Sequence, residues 1–558
     1  MRTTKMCLIA ALAGMGGLRA AAAGAPTASL PHLERRGKAT QLIVNGHPFL
    51  MLAGELHNSS SSSLAYMKPI WPRLEAMHLN TVVTPLSWEL IEPRPGQYDF
   101  HLLDGLLAQA RAAHMHLVFL WLATWKNGMS SYAPVWVKRN TRKYRRVIVQ
   151  GRPVEILSPF DRTTRAADAA AFAAVMRHIR AVDGQRHTVL MMQVENEVGV
   201  LGASRDRSPA ANRAFAGPVP ERLLHYLETH KTRLNPGFLR YWRRHGEKTQ
   251  GSWAQVFGRG ARAGQIFMAW YYARYIQAVT AAGKAAYDLP MYVNTWLAGY
   301  GQPPGMFPSG GPEPFVQDIW RAAGHAIDIY SPDLYASNFI TWCRRYHVND
   351  NPLWMPETTN GPAAAANVFY DVGEEYGLGF SPFAIDTPFP YQPPHGRGPW
   401  NFGAGEGYQI PTLAASYQML AQLWPRIAAR ETQGEVRGFT LSSWPGTTEF
   451  NLNGYRVHVT LDRIFGHQAS SGFGLIMADG PNRFLGAGRG FKVIFTSLRT
   501  GEPVGLAWVD SGHLQAGRWV PGRRLNGDED QQGGAWRFDS MKMHLEKAEV
   551  YRTNQAKR

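Results

Sequence analysis

Two short segments concentrate carboxylates where an otherwise apolar run ends. Met192-Gln-Val-Glu-Asn-Glu-Val-Gly199 closes such a run with Glu195, Asn196 and Glu197, and Trp354-Met-Pro-Glu-Thr-Thr-Asn360 does the same with Glu357. An unpaired charge is costly to bury, so a carboxylate in this position is expected to face a polar cavity. A pair of them fits two uses. One is a salt-bridged structural cluster. The other is cleavage of a glycosidic bond, in which one group protonates the departing oxygen while the other attacks the anomeric carbon or activates water. Those two jobs need different environments, because the acid must keep its proton before the first step and the nucleophile must be ionised. Strand alternation puts Glu195 and Glu197 on the same side and does not choose between them.

The elements that must position these residues are legible between positions 40 and 390. Short runs rich in β-branched and aromatic residues alternate there with stretches of helical periodicity, the pattern of parallel strands joined by crossover helices. Eight strands are predicted, at 49–57, 81–86, 117–123, 188–196, 291–296, 328–334, 353–357 and 378–385. Helical patterns separate them, for example 101–113 and 167–179. An open doubly wound sheet shows the same apolar strands. The barrel is favoured because Glu55, Asn196, Trp296 and Glu357 fall at or near the C-terminal ends of their strands, where (β/α)8 barrels place their chemistry. The expected fold class is α/β, a (β/α)8 TIM barrel followed by a β-sandwich.

Residues 201–262 form a connection much longer than the others, read as a partial lid on the cleft or, alternatively, a spacer on the barrel side. After a helical stretch at about 411–430 the texture changes to short alternating segments punctuated by glycine, including 439–444, 455–460, 491–496 and 504–509, which suggests a sandwich. The expected organisation is a leader at 1–25, a barrel at 26–430 and a β-domain at 431–558. Aromatic residues of that β-domain are expected to pack, with carbohydrate binding as the competing use.

Gln193-Val-Glu-Asn-Glu-Val-Gly199 closely resembles the Q-V-E-N-E-Y-G signature of family 35 glycoside hydrolases, mostly β-galactosidases. Asn45-Gly-His-Pro-Phe49, Ala53-Gly-Glu-Leu-His57, Trp88-Glu-Leu-Ile-Glu-Pro93 and Pro95-Gly-Gln-Tyr-Asp-Phe100 are similar to further motifs of that family. The resemblance runs over nearly the whole chain and looks like a bacterial branch with its own C-terminal β-domain. It implies a retaining, exo-acting β-galactosidase with Glu197 as acid/base, Asn196 on the sugar 2-hydroxyl and Glu357 as nucleophile. Glu195 then becomes a supporting carboxylate. Two family residues are replaced, by Pro85 and by Leu122-Ala-Thr-Trp125, so Glu55 is expected to supply a carboxylate to a sugar hydroxyl. Trp125 and Trp296 are candidate stacking surfaces, Asn127 and Asn294 candidate hydroxyl partners, and Tyr335 a candidate to orient Glu357. The competing readings are another enzyme of the same barrel clan, such as a family 42 galactosidase or an endo-acting glucanase or mannanase, and a silent carbohydrate-binding protein.

Bulk properties narrow the remaining classes. The chain has 558 residues, 45% of them hydrophobic, enough for two domains. Its first residues run from a basic start (Arg2, Lys5) through an apolar stretch to small residues at 20–25, the order of a secretory leader. That apolar run is too short to span a bilayer, and no later segment looks transmembrane, so a periplasmic or secreted protein is expected. Of two cysteines, Cys7 lies in the leader and Cys343 reads as a buried residue on a helix face. The net charge of +17 is scattered without a nucleic-acid motif, so nucleic acid is not an expected partner. No H-E-x-x-H, cysteine cluster, phosphate loop or dinucleotide fingerprint is present, and neither metal nor cofactor is implied. The expected partner is a β-galactoside, an oligosaccharide or a polysaccharide side chain.

Overall fold

The computed structural model describes residues 29–361, 363–387, 410–442, 446–464, 467–499 and 504–552. The predicted leader and the end of the predicted strand 439–444 lie outside the described residues. Eight parallel strands close a barrel: β1 (Met51–Glu55), β2 (Thr81–Ser87), β3 (His116–Leu122), β4 (Val189–Val194), β5 (Met291–Trp296), β6 (Ile329–Leu334), β7 (Met355–Thr358) and β8 (Gly379–Pro382). Each pairs with the next, and β8 returns to β1 through Gly379 opposite Met51. All eight expected strands exist, most of them shorter than predicted.

The strands are apolar throughout because both faces are covered. Inward residues such as Ala53, Val118, Leu120, Ile329 and Trp354 form an inner cluster with Leu42 and Val44. Those two come from an antiparallel N-terminal sheet (His32–Arg36, Ala39–Val44, His47–Phe49). That sheet packs where the strands begin: Phe49 meets His116 edge-on at 4.9 Å, and His187 bonds the Asn45 side chain at 2.7 Å. The opposite end, where the strands finish, is left to polar residues.

Outward residues including Leu52, Val82, Phe119 and Val293 join the large core under the helices. The helix Arg162–Asp183 starts where Asp161 accepts the Thr163 N–H at 2.9 Å, a side-chain cap on an otherwise orphaned donor. Its alanine-rich face lets it lie against Ala261–Ala286. The long connection holds four short helices, Pro209–Ala216, Glu221–Thr229, Pro236–Arg244 and Trp253–Phe257. Leu223, Leu227, Phe238, Trp242 and Trp253 on them are buried in the main core, and Arg222 donates to the Ala322 carbonyl at 2.9 Å. These contacts fit the alternative reading of the connection as a spacer packed on the barrel's helices.

Beyond the helix Ile410–Glu431 lie a six-stranded sheet (Val436–Leu441, Gly472–Ala478, Arg483–Arg489, His544–Arg552, Val504–Gln515, Arg518–Leu525) and a four-stranded one (Thr447–Leu452, Tyr455–Leu461, Phe491–Ser497, Trp536–Phe538). Phe439, Ile476 and Phe484 of the first share a core with Val457, Phe491 and Trp536 of the second, which makes a sandwich. Most of its aromatic residues are spent on that core, while Tyr551 is exposed. The strand Val436–Leu441 docks on the barrel helix Ala364–Glu374 so closely that a Cβ on Gly438 would sit 2.0 Å from the Phe369 carbonyl oxygen. Cys343 is free and buried on the helix Phe339–Tyr346.

Candidate active site

The polypeptide leaves β4 along a strained path. Glu195 and Glu197 both have positive φ, 63° and 45°, a region that side chains with a Cβ adopt at a cost of order 1–3 kcal/mol unless the surroundings hold them. Three bonds do so: Glu195 N–H to Trp121 O (3.1 Å), Asn196 N–H to Trp125 O (3.2 Å) and Glu197 N–H to Asn294 Oδ1 (2.9 Å). The kink breaks strand alternation and sends the two carboxylates to different places. Glu195 accepts the backbone N–H groups of Thr124 (3.0 Å) and Trp125 (2.7 Å). It lies against Asp168, which takes Trp121 Nε1, Thr124 Oγ1 and the Tyr275 hydroxyl at 2.8–3.0 Å. Burial first, and then the Asp168 charge, raises Glu195 well above the usual carboxylate value, and the pair braces the β3 loop through its bonds to Thr124 and Trp125.

Glu197 instead joins the mouth of the barrel. One carboxylate oxygen each of Glu197, Asp333 (in β6) and Glu357 (in β7) lies within 4.8 Å of the other two. All three side chains are buried. Asn127 Nδ2 donates to Glu197 Oε2 at 2.5 Å, and the Tyr335 hydroxyl donates to Glu357 Oε1 at 2.5 Å. Asn294 spans the group, since its Nδ2 donates to Asp333 Oδ2 at 2.7 Å while its Oδ1 takes the Glu197 N–H. Burial, and after it the Glu357 charge, pushes Glu197 up to about 7. Glu55, at the end of β1, is held well above the ordinary value by burial and then by the Glu357 charge.

Among the described residues, Lys126 is the one ammonium near these acids. Burial works against its charge, but Glu357, Glu197, Glu55 and Asp333 outweigh that and raise it. Three carboxylates this close also match the spacing of a cation site, yet Lys126 already supplies the positive charge such a site would take.

The expected site residues divide. Glu55, Asn127, Asn196, Asn294, Glu197, Tyr335 and Glu357 come together. Asn196 is buried, and its Nδ2 has no hydrogen-bond partner. Asn294 is a link between Glu197 and Asp333, a positioning use different from the hydroxyl contact expected of it. Trp296 ends β5 and is partly exposed. Trp125 is corrected: it is fully buried, donates Nε1 to Leu157 O at 3.0 Å, and packs edge-on against Tyr272 and Tyr275, so it has no face to offer a ring. Sequence reasoning missed Lys126 and Asp333. The signal for Asp333 was a charge inside an apolar strand, the same signal that found Glu357.

A family described as Beta-galactosidase, glycoside hydrolase family 42, matches residues 66–256, a span that includes Glu197 and ends before Glu357. It is the galactosidase of the competing reading, and the family 35 resemblance is corrected to that extent. A second family, described as Domain of unknown function (DUF5597), matches residues 413–537. A β-galactosidase of Xanthomonas manihotis is 30% identical over 209 residues, 36% of this chain and 31% of that protein. Solved structures similar to the chain include a β-galactosidase from Bacillus circulans sp. alkalophilus (TM-score 0.44, 15% identity, 68% of this chain and 57% of that one). Another is the catalytic domain of a β-amylase from Paenibacillus polymyxa (TM-score 0.41, 12% identity, 60% and 92%). The chain spans about a third of the length of the curated relative it matches.

Proposed function

We propose that this protein is a retaining β-glycosidase that acts from the non-reducing end on terminal β-D-galactosyl residues. The observation that carries the reading is that one carboxylate oxygen of Glu197 and one of Glu357 lie within 4.8 Å of each other at the mouth of a closed barrel. Carboxyl groups about 5–5.5 Å apart suit direct attack by one of them, whereas inversion needs roughly 6.5–9.5 Å to admit a water. The galactoside rests on the matched family over 66–256 and on the similarity to the Xanthomonas manihotis protein. The exo mode rests on the motif resemblance.

In the first step Glu357 attacks the anomeric carbon and Glu197 gives its proton to the departing glycosidic oxygen. Glu357 becomes an ester and Glu197 a carboxylate, so one negative charge moves across the site. Lys126 faces both groups and accompanies the charge in either position. In the second step Glu197 takes a proton from water, which attacks the same carbon and releases Glu357. In this reading Asn196 Nδ2, which is buried without a partner, donates to the 2-hydroxyl, a contact that strengthens as the ring approaches the oxocarbenium-like transition state. Trp296 offers a partly exposed ring for stacking. We place the protein outside the cytoplasm on the basic, apolar and small-residue order of positions 1–25.

The test is a panel of 4-nitrophenyl glycosides. β-D-Galactoside turnover well above that of the glucoside, mannoside, fucoside and α-L-arabinoside supports the substrate assignment. Release of oligosaccharides from polymers, in place of free galactose, contradicts the exo mode.

A further inference from the structure

We propose that Asp333 is a positioning residue that stays a neutral carboxylic acid and donates its O–H to Glu197. The inference rests on the reading of Glu197 as acid/base and adds a group that the reaction as described above does not use.

The geometry supplies the reason. Asp333 is buried at 3% exposure on β6. Its Oδ2 accepts one amide N–H, from Asn294, and its Oδ1 has no hydrogen-bond donor. No lysine, arginine or histidine nitrogen forms an ion pair with it among the described residues. An ionised carboxylate in that position has one donor and two neighbouring carboxylates, Glu197 and Glu357, within 4.8 Å. Like charges at this range cannot all persist, and one of them keeps its proton. Glu357 takes the Tyr335 hydroxyl and Glu197 the Asn127 amide, each at 2.5 Å, whereas Asp333 has the Asn294 amide alone at 2.7 Å, with its second oxygen unpartnered. A proton on Asp333 turns its contact with Glu197 from repulsion into a hydrogen bond. Its carboxyl is raised well above the ordinary value by burial, then by Glu357 and Glu197, in keeping with this.

The groups that bear on Asp333 come from every side of the mouth: Glu55 from β1, Lys126 from the loop after β3, Glu197 after β4, Glu357 from β7, and the phenols of Tyr335, Tyr292 and Tyr346. Only Lys126 among them favours an ionised Asp333, and it is shared with the three glutamates. The O–H donated by Asp333 stabilises Glu197 after Glu197 has given up its proton. It thereby favours the carboxylate that must deprotonate water in the second step. Asp333 itself exchanges no proton with substrate.

Two variants and two readouts separate the possibilities. In Asp333→Asn the amide N–H replaces the acid O–H, so the alkaline limb of kcat/KM stays within a few tenths of a pH unit of wild type. In Asp333→Ala the donor is lost, the limb moves up by roughly one unit, and turnover of an activated aryl glycoside falls about tenfold, as for loss of a hydrogen bond to a charged group. An ionised Asp333 predicts the opposite for Asp333→Asn: removal of a negative neighbour moves the limb down by about a unit. The infrared difference spectrum of wild type minus Asp333→Asn at pH 7 is independent of turnover. A carboxylic-acid C=O band supports the proposal, and a carboxylate band in its place overturns it. If the wild type hydrolyses no glycoside, the functional reading fails while the spectrum still decides the state of Asp333.

Discussion

The Tyr335 hydroxyl stands 2.5 Å from Oε1 of Glu357, on the strand next to it, so the loop after β6 sets the direction in which the end of β7 presents its carboxylate. A hydrogen bond to a charged group contributes about 1.5–3 kcal/mol, which corresponds to roughly 10- to 150-fold in rate. Tyr335→Phe is expected to lower kcat/KM by about that factor with the fold intact. Steady-state kinetics and circular dichroism check it; an unchanged kcat/KM would mean that Glu357 is oriented by other contacts.

As the proposed acid/base, Glu197 must be protonated to assist departure of the leaving group, and burial with the Glu357 charge pushes it up to about 7. Activity is therefore expected to be full on the acid side of that value and to fall as pH rises through it. Glu197→Gln is expected to abolish the limb together with most turnover of poor leaving groups. A pH–rate profile that stays flat from pH 6 to 9 contradicts the assignment.

Glu55 lies near the proposed nucleophile Glu357 and Lys126, and its Oε1 has no hydrogen-bond partner. If that oxygen meets a sugar hydroxyl, Glu55→Ala loses about tenfold or more in kcat/KM, chiefly through KM. Inhibition constants for galactose measured beside the kinetics report the same contact. Equal KM in the variant removes Glu55 from the substrate side.

Asp371, on the helix Ala364–Glu374, is fully buried and neither of its carboxyl oxygens has a hydrogen-bond partner. Burial and then the Glu375 charge raise it well above the usual value. Because the folded value exceeds the unfolded one, about 3.9, its contribution is fully present below that pH and is lost as pH rises through the folded value. Asp371→Asn does not titrate. Its melting temperature is expected to gain on wild type from pH 4.5 to pH 8, by an amount on the order of 1–2 °C. A gap independent of pH contradicts this.

Much of this architecture was readable in the residues. The strand count and the polar strand ends follow from apolar runs that leave Glu55, Asn196 and Glu357 at one end, because only a mouth can hold charge there. The choice between Glu195 and Glu197 was not readable from periodicity, since it depends on two positive-φ residues that undo the alternation. Lys126 looks in sequence like a solvated loop charge; its burial among four carboxylates comes from strands far apart in the chain. Trp125 and Trp296 stand at similar places in their strands, and the direction of each ring is set by what packs behind it, Tyr272 and Tyr275 in the first case.

The central claim is that Glu197 and Glu357 divide the labour of a retaining hydrolysis. Azide rescue of Glu197→Ala and Glu357→Ala on an activated aryl galactoside tests it most directly. The account predicts a β-galactosyl azide from Glu197→Ala, in which the covalent intermediate still forms, and an α-galactosyl azide from Glu357→Ala, in which azide replaces the nucleophile. Products of the opposite configurations, or wild-type turnover in either variant, would contradict it.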